Sequence, residues 1–239
     1  MKRAERHHLK ENELQRLAVK ARGMVEERRR ETTGFIIAAI VVAVGAAGYF
    51  MWREHVQSRA HALLADALAV QEARIAVPGT PAAPGTYPTE RARLEAAIAK
   101  FKAAADAYPT TDAGVFARYQ EAADQLALGN PTAAVTAYQQ VIGRAGDTIH
   151  GQMARLGQAV AQARAGQYDQ AINAFKELAQ RKDGPLPVDG ILMELGRTYR
   201  DAGKRADAQQ TFNRLVAEYP DSPFTQEAKR ELDTLNKAA

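Results

Sequence analysis

The sequence contains no cysteine among its 239 residues. This absence excludes a disulfide framework, a thiolate metal site and a lipid-modified cysteine within this chain. The sequence also lacks a phosphate-binding glycine loop, an HExxH zinc motif and a nucleophile elbow. We therefore expect no catalytic residues, no cofactor-binding or metal-binding residues, and a function other than catalysis.

Most of the chain has no excess of positive or negative charge. Residues 1–33 contain ten Lys or Arg and six Asp or Glu, whereas residues 53–239 contain twenty-two of each. The formal net charge of +4 therefore comes from the first 33 residues. Because a nucleic-acid-binding domain carries a basic face, the balanced charge of residues 53–239 argues against nucleic acid as a partner.

Long apolar runs are absent except for one, which extends over residues 34–52 without a charged side chain. At about 1.5 Å per residue, nineteen helical residues span roughly 28 Å, close to the hydrocarbon thickness of a bilayer. Tyr49 and Trp52 stand at the end of the run, where amphipathic aromatic side chains favour the headgroup level. The run predicts a single transmembrane helix, and a buried core helix is the alternative.

The flanks of this run predict an uncleaved anchor and its orientation. The run is longer than the apolar region of a signal peptide, and no small-residue cleavage site follows it. Lys and Arg are concentrated before the run, which places residues 1–33 in the cytoplasm by the positive-inside rule. We expect an inner-membrane, single-pass protein with a basic tail (1–33), an anchor (34–52) and an extracytoplasmic domain (53–239) containing a Pro-rich loop (78–89).

Residues 53–239 repeat with a period of 37 residues. Three rows of positions keep this spacing, and glycine recurs at it in the last three copies. The rows are Ala97, Ala134, Ala171 and Ala208; Phe101, Tyr138, Phe175 and Phe212; Ala104, Val141, Leu178 and Leu215; and the glycines are Gly129, Gly166 and Gly203. A period of this length is typical of stacked helical hairpins. We expect the glycine to end the first helix of each hairpin and the rows to pack between hairpins.

The last copy resembles the tetratricopeptide repeat most closely. It contains Leu192, Leu195, Gly196, Tyr199, Ala208, Phe212, Leu215 and Pro220 in that spacing. Other copies have Ala122 and Ala159 in place of Gly196, and Gln125 and Gln162 in place of Tyr199. The resemblance implies an all-α fold, a tetratricopeptide-like helical-hairpin solenoid preceded by one transmembrane helix. We expect four hairpins, the first using residues 53–77, and a capping helix over 224–235.

The whole arrangement resembles the ancillary subunit family of the SecYEG translocon. A short charged tail, one anchor and an exported repeat domain carry this resemblance. It implies protein partners, namely the translocon channel and exported chaperones or newly exported client proteins. The stretch 218–224 also resembles repeats of outer-membrane assembly and cell-division coordinator proteins, so an envelope-assembly or division scaffold is the second hypothesis. A membrane-bound enzyme with an unrecognised site is the third.

The first helices of stacked hairpins line a concave groove, which is the predicted partner-binding surface. The residues expected to face it are Phe116, Tyr119, Gln120, Met153, Leu156, Met193, Arg197 and Arg200. Exposed aromatic and methionine side chains suit an apolar segment of a partner. The two arginines would suit a carboxylate or an acidic stretch. The alternative is that several of these side chains are buried between hairpins.

Overall fold

The structure, a computed structural model, describes residues 4–77, 84–181 and 184–237, with side chains from residue 33 onward. Nine helices occupy these residues, with no sheet. They are α1 (Ala4–Gln71), α2 (Glu90–Ala107), α3 (Asp112–Ala127), α4 (Pro131–Ala145), α5 (Ile149–Arg164), α6 (Tyr168–Gln180), α7 (Val188–Asp201), α8 (Arg205–Glu218) and α9 (Thr225–Lys237). The contacts divide the chain into two units, residues 1–56 and 57–239, and α1 belongs to both.

In the first unit, α1 contains one segment long and apolar enough to cross a membrane. The large apolar side chains between Phe35 and Trp52 are all exposed. Tyr49 contacts Phe50 and Trp52 through ring pairs with centroids 6.0 and 6.2 Å apart. No described side chain covers this segment, which stays a candidate membrane span. The side chains of the predicted tail, except that of Thr33, lie outside the described ones.

The second unit is a solenoid of helical hairpins, as the period predicts. Residues 57–71 of α1 share a hydrophobic cluster with α2 and α3, and the pairs α3/α4, α5/α6 and α7/α8 follow. First helices also contact the first helices of neighbouring pairs, α3 with α5 and α5 with α7. The final helix, α9, packs on α8 and begins one residue later and ends two residues later than expected. The predicted capping helix is therefore present.

The three rows of residues spaced 37 apart form the core between helices. Every member of the rows is buried, including Phe101, Phe175 and Phe212, which have no exposed surface. Gly196 explains one part of this packing, because a Cβ there would lie 2.4 Å from the ring of Phe212. The small residue therefore lets α7 approach α8 closely. The predicted packing role of the rows is confirmed.

The recurring glycines end the first helices in the left-handed conformation. Gly129, Gly166 and Gly203 have φ angles of 81°, 76° and 74°. At each turn, the amide after the glycine donates to the carbonyl five residues earlier, for example Asn130 to Gln125 at 2.9 Å and Lys204 to Tyr199 at 2.8 Å. Gln125 and Gln162 stand where the last copy has Tyr199. Each contributes a backbone carbonyl to its turn, which any residue supplies.

A long connection joins α1 to α2. Ile75 and Tyr87 form an isolated parallel bridge, in which Ala76 donates to the Tyr87 carbonyl at 2.8 Å and Tyr87 donates to the Arg74 carbonyl at 2.9 Å. Residues 84–89 contain turns and bends and end at Thr89, which caps α2. The rest of the predicted Pro-rich loop, residues 78–83, lies outside the described residues.

Candidate binding groove on the first helices

The candidate groove residues divide between two parts of the solenoid. We define the α3–α5 strip as the side chains of Phe116, Tyr119, Ile149, Met153, Leu156 and Val160. We define the α7–α9 lattice as the side chains of Glu194, Arg197, Arg200, Asp201, Glu227 and Glu231. Residues 37 apart occupy equivalent places on successive first helices, so Phe116, Met153 and Gly190 correspond, as do Tyr119, Leu156 and Met193.

The α3–α5 strip is apolar and open to solvent. Ile149 is 51% exposed and Met153 is 37% exposed; on helices α2–α9, they are the only exposed large apolar side chains within the described residues. They are four residues apart and therefore share a face of α5. Leu156 and Val160 continue this face and are half-buried against the core. The prediction placed Met153 and Leu156 here but missed Ile149, which the same spacing would have indicated.

Aromatic side chains form the α3 side of the strip. The rings of Phe116 and Tyr119 stack with centroids 6.4 Å apart, and both residues are half-buried. Tyr119 then meets the buried Tyr138 edge-on at 5.5 Å. Burial raises the pKa of Tyr119, so its hydroxyl stays neutral at physiological pH. These packed rings form an apolar wall on the α3 side of the strip.

Gln120 lies beside this wall but is engaged within the protein. Its Nε2 donates to Oε1 of Gln71, the last residue of α1, at 3.2 Å. The side chain is half-buried. Gln120 therefore fastens α3 to α1 in this structure, and its contact with a partner stays a prediction.

A cleft of about 380 Å³ lies at the N-terminal ends of α3 and α5, next to the strip. Its lining consists of Thr110, Asp112, Val115, Arg144, Ala145, Thr148 and His150. Ile149 stands in sequence between two of these residues. The hydroxyl of Thr148 also caps α5 by accepting a hydrogen bond from the Gly151 amide at 3.4 Å. An apolar side chain held on Ile149 would therefore lie close to this cleft.

Glycines that the sequence analysis missed shape these helix starts. A Cβ on Gly114 would lie 1.8 Å from the Tyr108 carbonyl oxygen, and one on Gly151 would lie 2.1 Å from the Gly146 carbonyl oxygen. The two glycines are 37 residues apart and each follows a capping threonine by three residues. The shared Thr-x-x-Gly spacing was the available signal. No large side chain fits there, so the preceding loop packs tightly onto the helix.

Met193 does not line the groove, and its prediction is wrong. It has no exposed surface and belongs to the core cluster of α7. Phe224, from the turn before α9, packs against this cluster, and its ring lies 3.5 Å from the place where a Cβ on Gly190 would be. Gly190 and Met193 are three residues apart on one face of α7. The chain itself therefore covers the face that stays open on α5.

Arg197 and Arg200 are already paired with carboxylates of the chain. Arg197 bonds Glu227 at 2.5 Å and also Glu194, while Arg200 bonds Glu231 at 2.5 Å and Asp201 at 2.9 Å. Burial opposes the charge of Arg197, but the hydrogen bonds and charges of Glu227 and Glu194 outweigh it and raise the pKa. The hydrogen bond to Glu231 raises the pKa of Arg200. The expected free cations are thus the centre of an internal ionic lattice that joins α7 to α9.

Within the described residues, no group of three or more His, Asp or Glu side chains is placed to hold a metal ion. His150, which is near the groove, is exposed on the rim of the cleft. The chemistry that the described groove offers a partner is apolar contact on the α3–α5 strip, because the charges of the α7–α9 lattice are paired with one another.

Comparisons with known proteins agree with this architecture. Two tetratricopeptide repeat families match the chain, one over residues 119–185 and the other over residues 162–232. No curated protein matches it. Two solved structures of a protein from Podosopora anserina, described as a putative kinesin light chain with nearly identical tetratricopeptide-like repeats, are similar; one of them carries a point substitution. Each has 15% identity and a TM-score of 0.58, covering 76% of this chain and 87% of the other.

These likenesses establish the fold. The protein contains a tetratricopeptide-like solenoid and one long apolar helix that is a candidate membrane span. Solenoids of this kind are typically non-catalytic scaffolds that bind other proteins.

Proposed function

We propose that this protein is a membrane-anchored scaffold of the secretion translocon, whose α3–α5 strip receives apolar segments of exported chaperones or newly exported proteins. The observation that carries the proposal is the exposure of Ile149 and Met153 on α5, whose neighbour α3 carries the stacked rings of Phe116 and Tyr119. A folded domain gains nothing in its own stability from exposed apolar side chains, and such patches mark interaction sites. The repeat fold supports a protein as the partner.

The anchor part of the proposal rests on the apolar segment of α1 and on the charge distribution. The segment has the length and composition of a membrane span. The ten Lys or Arg residues before it favour a cytoplasmic N-terminus and an extracytoplasmic solenoid in the inner membrane. In this arrangement the strip faces the compartment into which exported chains emerge.

The orientation can be tested by cysteine labelling, because the chain has no cysteine of its own. One variant carries Gln140→Cys on the exposed surface of α4, and another carries a cysteine added before Lys2. In spheroplasts we expect a membrane-impermeant maleimide to label the Gln140→Cys variant, and to label the N-terminal cysteine only after lysis. The reverse pattern would place the solenoid in the cytoplasm and refute export.

The translocon role is tested by purifying the tagged full-length protein from detergent-solubilised membranes. We expect subunits of the translocon channel to co-purify, and to be depleted when the apolar segment is exchanged for an unrelated membrane span. Recovery of envelope-assembly or division proteins in their place would favour the second hypothesis. Recovery of neither group with the wild-type protein would refute both.

A further inference from the structure

A buried carboxylate joins the end of α1 to α3. Asp124, in the last turn of α3, is only 5% exposed. Its Oδ1 accepts a hydrogen bond of 2.9 Å from Nε2 of Gln71, the last residue of α1. The Gln71 Oε1 in turn accepts the 3.2 Å bond from Gln120. Three polar side chains thus form a short chain of hydrogen bonds between the two helices.

This carboxylate is poorly satisfied for a buried anion. Its second oxygen, Oδ2, is buried and receives no hydrogen bond from the described residues. The groups that act on it from other helices are Gln71 on α1, Arg93 on α2 and Tyr138 on α4. The guanidinium of Arg93 supplies the one opposing charge, but its salt bridge is to Glu90, at 3.8 Å. A buried anion with a single hydrogen bond has lost hydration that the protein has not replaced.

We propose that Asp124 is a proton-controlled clasp, in which uptake of one proton tightens the attachment of the last turn of α1 to α3. The neutral carboxyl carries no charge into the buried site, so the cost of enclosing it falls. The ionised carboxyl is better hydrated when the turn of α1 lifts away, so ionisation favours the detached form. The proposal does not depend on the groove or on its partner.

The direction of the pH effect follows from linkage. Burial raises the pKa of Asp124 above its ordinary value, whereas the Gln71 hydrogen bond and the charge of Arg93 act in the opposite direction with smaller effect. The attached form therefore binds the proton more tightly than the detached form. Attachment strengthens as pH falls through the raised pKa toward the ordinary pKa of an aspartate, about 3.9, and weakens as pH rises through the raised pKa.

A second buried acid on α3 must be separated from this effect. Burial raises the pKa of Glu121, but this carboxylate forms a salt bridge with Arg118. Arg118 also pairs with Asp106, whose pKa is lowered by hydrogen bonds from Lys102 and Arg118. Replacing Glu121 by glutamine removes its titration and leaves the Gln71–Asp124 pair in place.

Hydrogen exchange of the full-length protein in detergent micelles tests the clasp. Peptides covering residues 62–73 are compared at several pH values between about 3.5 and 7.5, a range that includes the ordinary pKa of an aspartate, after correction for intrinsic exchange rates. In the wild type we expect protection to rise several-fold at low pH, with a limit of about tenfold per pH unit for one linked proton. Asp124→Asn, which accepts the same hydrogen bond but cannot ionise, should be protected at both ends of the range with no pH dependence.

Two further variants make the result decisive. Glu121→Gln should keep the wild-type pH profile, and Gln71→Leu should lower protection of the same peptides across the range. The proposal is overturned if the wild type shows no pH dependence, if Asp124→Asn retains the dependence, or if Glu121→Gln abolishes it. It is also overturned if Gln71→Leu leaves protection unchanged. The absence of pH dependence in the wild type would overturn the proposal without any variant, so the test does not rely on every variant folding.

Discussion

The α3–α5 strip and the α7–α9 lattice occupy the same face of consecutive repeats, yet they offer opposite chemistry. On α5 the row holds Met153 and Leu156, and Met153 is exposed. One repeat later the same row holds Gly190 and Met193, and Phe224 packs there. Equivalent positions thus have different surroundings. The last hairpin is followed by α9, and Phe224 from the turn before α9 covers the face of α7 that holds Gly190 and Met193.

The capping helix α9 makes both apolar and ionic contacts with the solenoid. Ala228 and Leu235 on α9 are buried, while Glu227 and Glu231 pair with arginines of α7. The ionic lattice fixes α9 on the face where a further repeat would otherwise stack. The α3–α5 strip has repeats on both sides and needs no such cover, so its apolar exposure is not an end effect.

The largest expected effect is on the core that both regions share. Phe212→Ala removes a fully buried ring that packs against Gly196. The lost burial and the cavity should lower the free energy of unfolding by roughly 3–5 kcal/mol. Chemical denaturation of fragment 53–239, followed by circular dichroism, measures it. Asn213→Ala, at the exposed neighbouring position, is the control, and equal midpoints for both variants would show that Phe212 is not a core residue.

The next effect concerns binding to the strip. Ile149→Ser combined with Met153→Ser removes the two most exposed apolar contacts, and we expect roughly tenfold weaker binding of a peptide from the co-purified partner, or about 1.4 kcal/mol. Fluorescence anisotropy measures the affinity. Stability should change by less than about 0.5 kcal/mol, because both sites are at the surface.

The matched control for this double variant is Ile75→Ser. Ile75 has a similar exposure, 44%, but lies in the connection before α2. It should bind as the wild type does. Equal losses in the two variants would mean that general surface hydrophobicity, and not the strip, governs capture.

A smaller effect is expected in the α7–α9 lattice. Arg197→Glu breaks pairs with Glu194 and Glu227 and should destabilise fragment 53–239 by about 1 kcal/mol, since partly exposed pairs contribute little. Adding Glu227→Arg should restore part of the loss. Peptide affinity for the strip should be the same in both variants. A large fall in affinity with unchanged stability would show that Arg197 binds the partner, as the sequence first indicated.

The sequence predicted the parts of this fold that local spacing determines. Rows at 37-residue spacing identified the buried ring and alanine positions, and the glycine row identified the turns, because each helix repeats the same environment. The same spacing placed Phe116, Tyr119 and Met153 on first helices, and their part in binding stays a prediction. The departure at Gln125 was harmless for a reason that spacing does not reveal, since the turn needs from this position a backbone carbonyl, which any residue supplies.

The sequence failed where a distant segment changes the environment of a local face. Met193 has the spacing of a groove residue, but Phe224, thirty-one residues later, belongs to the cluster that buries it. Arg197 and Arg200 looked available because their partners lie on α9, thirty or more residues away. A periodic pattern shows which face a residue is on, and the tertiary fold decides what covers that face.

The most direct test of the difference between the two regions is photo-crosslinking in living cells from positions in one row. A crosslinking amino acid replaces Met153 in one full-length variant and Glu227, its equivalent two repeats later, in another. We predict adducts with other proteins from position 153, and only internal products from position 227, where the lattice and α9 occupy the face. Adducts from position 227 without any from position 153 would contradict the account and assign binding to the α7–α9 end.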